Sequence, residues 1–190
     1  MTTKQRDFPL HLVREAVGRE ETARARSRQE LRDLSIGDGP GFYVAVDGLE
    51  DLAPVLYIGQ GARLAKRPGV SFDIARQYAH GVEGGAGQWP SAGAAIGIAL
   101  AAAEDPVVLL WPTESVDDAK MWEWVLIRCS AMFGSTPRAQ GGGWDWRRDG
   151  DSVIKPRVGK KLDEIFDAGY GAKLLASGGA VPFPSADRPQ

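Results

Sequence analysis

The side chains best suited to chemistry in this chain are cations gathered in short stretches. Ala62-Arg63-Leu64-Ala65-Lys66-Arg67 carries three cations among good helix formers, directly after the apolar run Val55-Leu56-Tyr57-Ile58 and Gly59-Gln60. Such a group either faces solvent or collects phosphate oxygens, and Arg63, Lys66 and Arg67 are equivalent candidates on composition alone. A second set, Arg138, Arg147 and Arg148, is interleaved with Trp144 and Trp146, where cations could meet phosphate and indoles stack on bases. Tryptophans at this density are more often core residues than a stacking surface. His80 is either an ordinary exposed histidine or a proton carrier.

Several other chemistries are excluded. Two histidines and the single Cys129 cannot build a standard structural zinc site, and one cysteine allows no internal disulfide. The chain has no GxxxxGK[ST] phosphate loop, no GxSxG elbow and no CxxC. Gly37-Asp38-Gly39-Pro40-Gly41 precedes a strand, whereas a dinucleotide fingerprint should follow one. With Lys+Arg 23 against Asp+Glu 25, the net charge is -2, so phosphate binding must come from a local cluster and not from the field of the whole molecule. The N-terminal MTTKQRDF lacks the apolar core of a secretory signal, and Ala92–Ala103 is too short to span a bilayer. A cytoplasmic protein without membrane association is expected.

The elements that must position these groups follow from pattern. Gly41-Phe42-Tyr43-Val44-Ala45-Val46 is β-branched and aromatic, as a buried strand requires, and Asp47-Gly48 supplies turn chemistry. The Val55 run predicts a second strand, and Val107-Val108-Leu109-Leu110-Trp111 a third. Ser115 or Thr113 is the candidate N-cap of a helix from Val116 to about Met132, with Asp117-Asp118 near its positive end. Pro9 to Leu34 reads as helix throughout, its charged part laced with spaced ion pairs. Pro68-Gly69 predicts the end of the basic helix, and a second helix over Phe72–His80 follows. Gly81–Pro90 reads as a loop and Ala92–Ala103 as an alanine-rich helix. A short helix is expected over Val158–Ala168, before a loose glycine- and proline-rich tail.

Gly41-Phe42-Tyr43 followed by Tyr57-Ile58-Gly59 resembles the paired signature of the GIY-YIG nuclease superfamily. Arg67 stands where the family has an arginine on its first helix. The third strand and Trp122-Glu123-Trp124 then match the segment that carries its glutamate. The resemblance covers roughly residues 40 to 143. It implies an α/β fold with a small, mainly antiparallel three-stranded sheet flanked by helices, here with helical N- and C-terminal extensions. It also implies a metal-dependent endonuclease hydrolysing phosphodiester bonds in DNA, RNA not being excluded. Tyr43, Tyr57, Arg67 and Glu123 would be catalytic, Glu123 holding Mg²⁺ or Mn²⁺. One phenol would orient or deprotonate the attacking water, and Arg67 would bind the scissile phosphate. Gln60, Arg63, Lys66, His80, Arg138 and Gln140 are the candidate substrate-binding residues.

The domain division implied is 1–36 as a helical N-terminal extension, 37–143 as the nuclease-like domain with an insertion at about 68–105, and 144–190 as the C-terminal extension. The chain departs from the family pattern at Pro68, at Ser71 where many relatives carry histidine, and at Gln140 where many carry asparagine. These departures define the alternative, a catalytically degenerate module that binds nucleic acid or a protein partner without cleaving.

Overall fold

The computed structural model describes residues 8–36, 38–80, 91–132 and 153–166. The chain divides into two compact units, Met1–Gly143 and Trp144–Gln190. The first unit is α/β. Its elements are α1 (Leu10–Val17), β1 (Ala23–Ala25), α2 (Arg28–Asp33), β2 (Gly41–Asp47), β3 (Val55–Gly61), α3 (Lys66–Ala79), α4 (Ser91–Ala102), β4 (Pro106–Pro112) and α5 (Val116–Met132). In the second unit the described residues form one helix, α6 (Ile154–Phe166), with Ile154, Val158 and Leu162 buried at helical spacing.

The sheet has four antiparallel strands in the order β1-β4-β2-β3. It is therefore not the three-stranded sheet expected from the sequence. The extra strand is Ala23-Arg24-Ala25, which pairs with Leu110, Leu109 and Val108 of β4. The presumed single N-terminal helix is thus broken into helix, strand and helix. Gly18 ends α1 with a left-handed φ of 74°, a conformation that costs glycine little. Ser27 caps α2 by accepting from the Glu30 amide at 3.1 Å. The N-terminal segment is part of the sheet, not an appendage to it.

The central strands β2 and β4 are buried on both faces, which accounts for their unbroken apolar runs. On one face Tyr43, Ala45, Tyr57, Val108 and Leu110 pack with Leu31, Leu64, Phe72, Ile96 and Leu100 from the α2, α3 and α4 regions. On the other, Phe42 stacks on Trp111 with centroids 5.1 Å apart and meets Trp122 of α5 at 5.9 Å. Gly41 lies where a methyl group would come within 2.5 Å of the Trp111 carbonyl oxygen and 2.7 Å of Leu64, so the strand can begin there only without a side chain.

Pro68 does not end the basic helix. It sits in the first turn of α3, after Ala65 at the N-cap, where its missing amide proton has no intrahelical acceptor to lose. One helix therefore replaces the two expected, and it begins at Lys66, later than the composition of Ala62–Arg67 suggested. Pro68→Ala is expected to change the free energy of unfolding by less than about 1 kcal/mol, against the ~3 kcal/mol typical of a proline inside a helix. Urea unfolding of the two chains checks this.

Candidate functional site

The pairing of β2 with β3 builds the centre of the site. Tyr43 stands opposite Gly59 and Ala45 opposite Tyr57, so the two tyrosines are diagonal neighbours on one face of the sheet. Their rings stack with centroids 5.9 Å apart and an interplanar angle of 20°. Gly59 makes this possible. A Cβ there would lie 2.6 Å from Tyr43 Cζ and Oη and 2.6 Å from Tyr57 Cε1. Both rings thus occupy the space that a side chain at residue 59 would fill.

Arg67 enters from the first turn of α3, exposed, its Nη1 donating to the Gln60 carbonyl oxygen over a long 3.5 Å. That end of α3 has no acidic residue in its first turn and no side-chain cap, yet Lys66 and Arg67 both stand on it. Two cations at the positive end of a helix are electrostatically unfavourable until an anion joins them. Gln60, Arg63, Lys66 and Arg67, with Val116 from the start of α5, line an open groove of about 440 Å³.

Glu123 is carried by α5, whose start is set by Ser115. The Ser115 hydroxyl accepts from the Asp118 amide at 3.1 Å and donates to Asp118 Oδ2 at 2.6 Å, a reciprocal cap. Trp122 against Phe42 sets the rotation of the helix. Glu123, one position on, comes within electrostatic reach of Tyr43, Tyr57 and Arg67. Burial pushes its carboxyl from an ordinary 4.5 up to about 7, against the opposing pull of the Arg67 and Lys120 charges.

The phenols are held neutral. Tyr43 is fully buried, and its hydroxyl has no hydrogen-bond partner among the described residues. Burial, then the neighbouring Tyr57 and the Glu123 charge, raise it well above 10, with Arg67 opposing. Tyr57 is raised in the same way, by burial first and Glu123 second. In the protein alone neither phenol is a base near neutral pH. Each is a hydrogen-bond donor.

The structure therefore brings Tyr43, Tyr57, Arg67 and Glu123 into one electrostatically coupled group, with Gln60, Arg63 and Lys66 on the groove beside it. It does not bring His80 there. His80 is the exposed C-cap of α3, about 20 Å along the helix axis from Arg67. Ser71, one turn past Arg67, is buried and donates to the Arg67 carbonyl oxygen at 3.0 Å, a structural role. Arg138 and Gln140, like Trp144, Trp146, Arg147 and Arg148, lie outside the described residues. Cys129 is buried, its thiol pushed up to about 12, and contributes no nucleophile.

Sequence reasoning missed Gly59 as a packing requirement and Lys120 as a charge facing the carboxyl. The alternation of β2 and β3 contained the first signal, since Gly59 shares the face of Tyr57. Among the described residues no helix is long and apolar enough to cross a membrane, and no three His, Cys, Asp or Glu side chains gather into a metal cage. Comparison with protein-family models, with curated proteins and with solved structures finds no match to this chain.

Proposed function

We propose that this chain is a divalent-metal-dependent endonuclease of the GIY-YIG type, hydrolysing phosphodiester bonds in DNA. The observation that carries the reading is the convergence of Tyr43, Tyr57, Arg67 and Glu123 beside a groove lined by further cations. These residues are distant in sequence and meet around a carboxylate that lacks enough positive charge to offset its burial.

The donor set fits a hydrated hard cation. Mg²⁺ or Mn²⁺ needs only one or two protein oxygens and retains its waters, so Glu123 suffices as the holding group, and a multi-carboxylate cage is not required. When bound, such an ion supplies a Lewis acid for the phosphoryl oxygens. The rest is the work of the chain itself. Arg67, exposed and on the lining of the groove, binds the scissile phosphate and neutralises charge on its oxygens. Both phenols are held protonated by burial; Tyr57, 4% exposed, is the one placed to donate a hydrogen bond to the attacking water, with fully buried Tyr43 packed behind it. Of the two roles open to a phenol, orientation fits the raised pKa values and deprotonation does not. Gln60, Arg63 and Lys66 hold the flanking backbone.

The test is incubation of plasmid, single-stranded DNA and RNA with the full chain and Mg²⁺ or Mn²⁺, with EDTA and Glu123→Ala as controls. Metal-dependent cutting lost in Glu123→Ala supports the reading; cutting that survives the substitution removes Glu123 from it. Arg67→Ala is expected to slow cleavage by about 10²–10³-fold, while changing stability by no more than ~0.5 kcal/mol because the side chain is exposed. Single-turnover rates beside thermal melts measure both. Lysine at 67 should recover only part of the rate, since it lacks the guanidinium fork.

The second reading is a module that binds nucleic acid or a protein partner without cleaving. Ser71 favours it, being buried and bonded to the backbone where the family pattern has a histidine. Absence of cutting on every substrate would select it.

A further inference from the structure

A second groove, of about 580 Å³, runs between α2 with the segment after it and the first turns of α3. It meets the groove beside the catalytic group, because Arg63 and Lys66 line both. Its lining combines two kinds of surface. Arg32, Arg63 and Lys66 are exposed cations with no ion-pair or hydrogen-bond partner among the described residues, facing Asp38 as the one carboxylate. Arg28, also on the lining, is already paired with Asp73 of α3, which ties α2 to α3 and keeps the groove's two walls together. Between the cations lie Leu34, Ile36 and Val70, the last 43% exposed.

The combination selects the occupant. Positive charge calls for phosphate, but a duplex shows phosphate and sugar outward and would leave the aliphatic patch uncovered. An unpaired nucleotide covers both, with its backbone on the cations and a base face on the aliphatic side chains. We propose that this groove binds an unpaired nucleotide adjoining the scissile phosphate, its phosphate held by Arg63 and Lys66 with Arg32 beyond them and its base laid on Leu34, Ile36 and Val70. The chain then prefers nucleic acid that is single-stranded on one side of the cut. The proposal rests on the nuclease reading for the word scissile alone; the binding is separable from the chemistry. Its cation outside the catalytic neighbourhood, Arg32, comes from the N-terminal segment that the β1–β4 pairing fastens to the sheet.

Binding of a labelled single-stranded oligonucleotide and of a blunt duplex of the same length is measured by fluorescence anisotropy in EDTA, across a salt series, on the full chain. Arg32→Glu is expected to weaken single-strand binding about 10-fold and to lower the slope of log K against log salt by about 0.7 or more. Val70→Asp, at an exposed position that should not disturb folding, is expected to weaken the single strand about 10-fold and the duplex less than about 2-fold. Arg76→Glu, farther along α3 and off this groove, should change neither. Equal losses for single strand and duplex in Val70→Asp, or single-strand binding absent or untouched by Arg32→Glu and Val70→Asp in chains with unaltered melting, would overturn the proposal. Discrimination through these residues without cleavage of any substrate would keep the groove and remove the hydrolase. Metal-dependent cleavage indifferent to both substitutions would do the reverse.

Discussion

Glu123→Gln should abolish strand cleavage, by about 10³-fold or more, and at the same time make the chain more stable than wild type at pH 8. The two effects have one cause. The carboxyl is held in the native state with its pKa raised from 4.5 to about 7, so between those values the folded chain binds more protons than the unfolded chain. The stability associated with the neutral carboxyl is fully present below about pH 4.5. It is lost as the pH rises through about 7, and the loss is complete above it. Glutamine preserves volume and hydrogen bonding without the charge, so it escapes that loss. A carboxyl raised from 4.5 to about 7, a value that already includes the pull of the Arg67 and Lys120 charges, makes the gain about 3 kcal/mol at pH 8 and under about 1 kcal/mol at pH 5.

Urea unfolding of both chains at the two pH values, in EDTA, measures this. Adding Mg²⁺ or Mn²⁺ at pH 8 should then raise the wild-type midpoint and leave the glutamine chain unmoved, because only a ligand that prefers the folded state stabilises it. A glutamine chain that is less stable than wild type at pH 8 would mean that Glu123 is compensated by contacts in the protein itself. It would then have no need of a cation.

Gly59→Ala should be the most damaging single methyl addition at the site. The new Cβ would fall 2.6 Å from the Tyr43 ring and hydroxyl and 2.6 Å from Tyr57, in a residue whose backbone is pinned by pairing with β2. Neither ring can withdraw easily, since Tyr43 is fully buried and Tyr57 is 4% exposed. Overpacking of this kind costs about 1–3 kcal/mol. The rings must also shift, and misplacing site groups by about an ångström lowers cleavage by about 10²-fold. Thermal melts and single-turnover rates separate the two losses. Full activity in a Gly59→Ala chain that melts early would show that the tyrosine pair stabilises the sheet without serving the reaction.

The strands β2, β3 and β4 and the helices α4 and α5 are legible in the sequence, because each has a local signature. Continuous β-branched and aromatic runs suit strands buried on both faces, and Ser115 followed by Asp118 is a self-contained helix start. The α/β class follows from those elements. The four residues of the candidate site, by contrast, are named through a resemblance to a family pattern and not from any local signature of their own.

What lacks a local signature was out of reach. Ala23-Arg24-Ala25 has no strand pattern; it is extended because the edge of β4 offers it backbone partners. Pro68 carries a breaker's chemistry, yet its position in a first turn, fixed by where α3 docks, makes that chemistry harmless. His80 and Arg67 are on one helix but at opposite ends, a separation that a list of motifs does not express.

The sequence by itself determined the residue types, the element order and which residues of each strand share a face, since alternation along a strand is a property of the backbone; that Tyr43 lies opposite Gly59 comes from how β2 and β3 pair. Only the tertiary structure decided that a carboxylate from α5 loses its water beside two phenols from the sheet, and that Arg32 of the N-terminal segment faces Lys66 of α3 across a groove. The reason is physical. Burial and charge coupling depend on distance through space, and distance through space is set by packing between elements far apart along the chain.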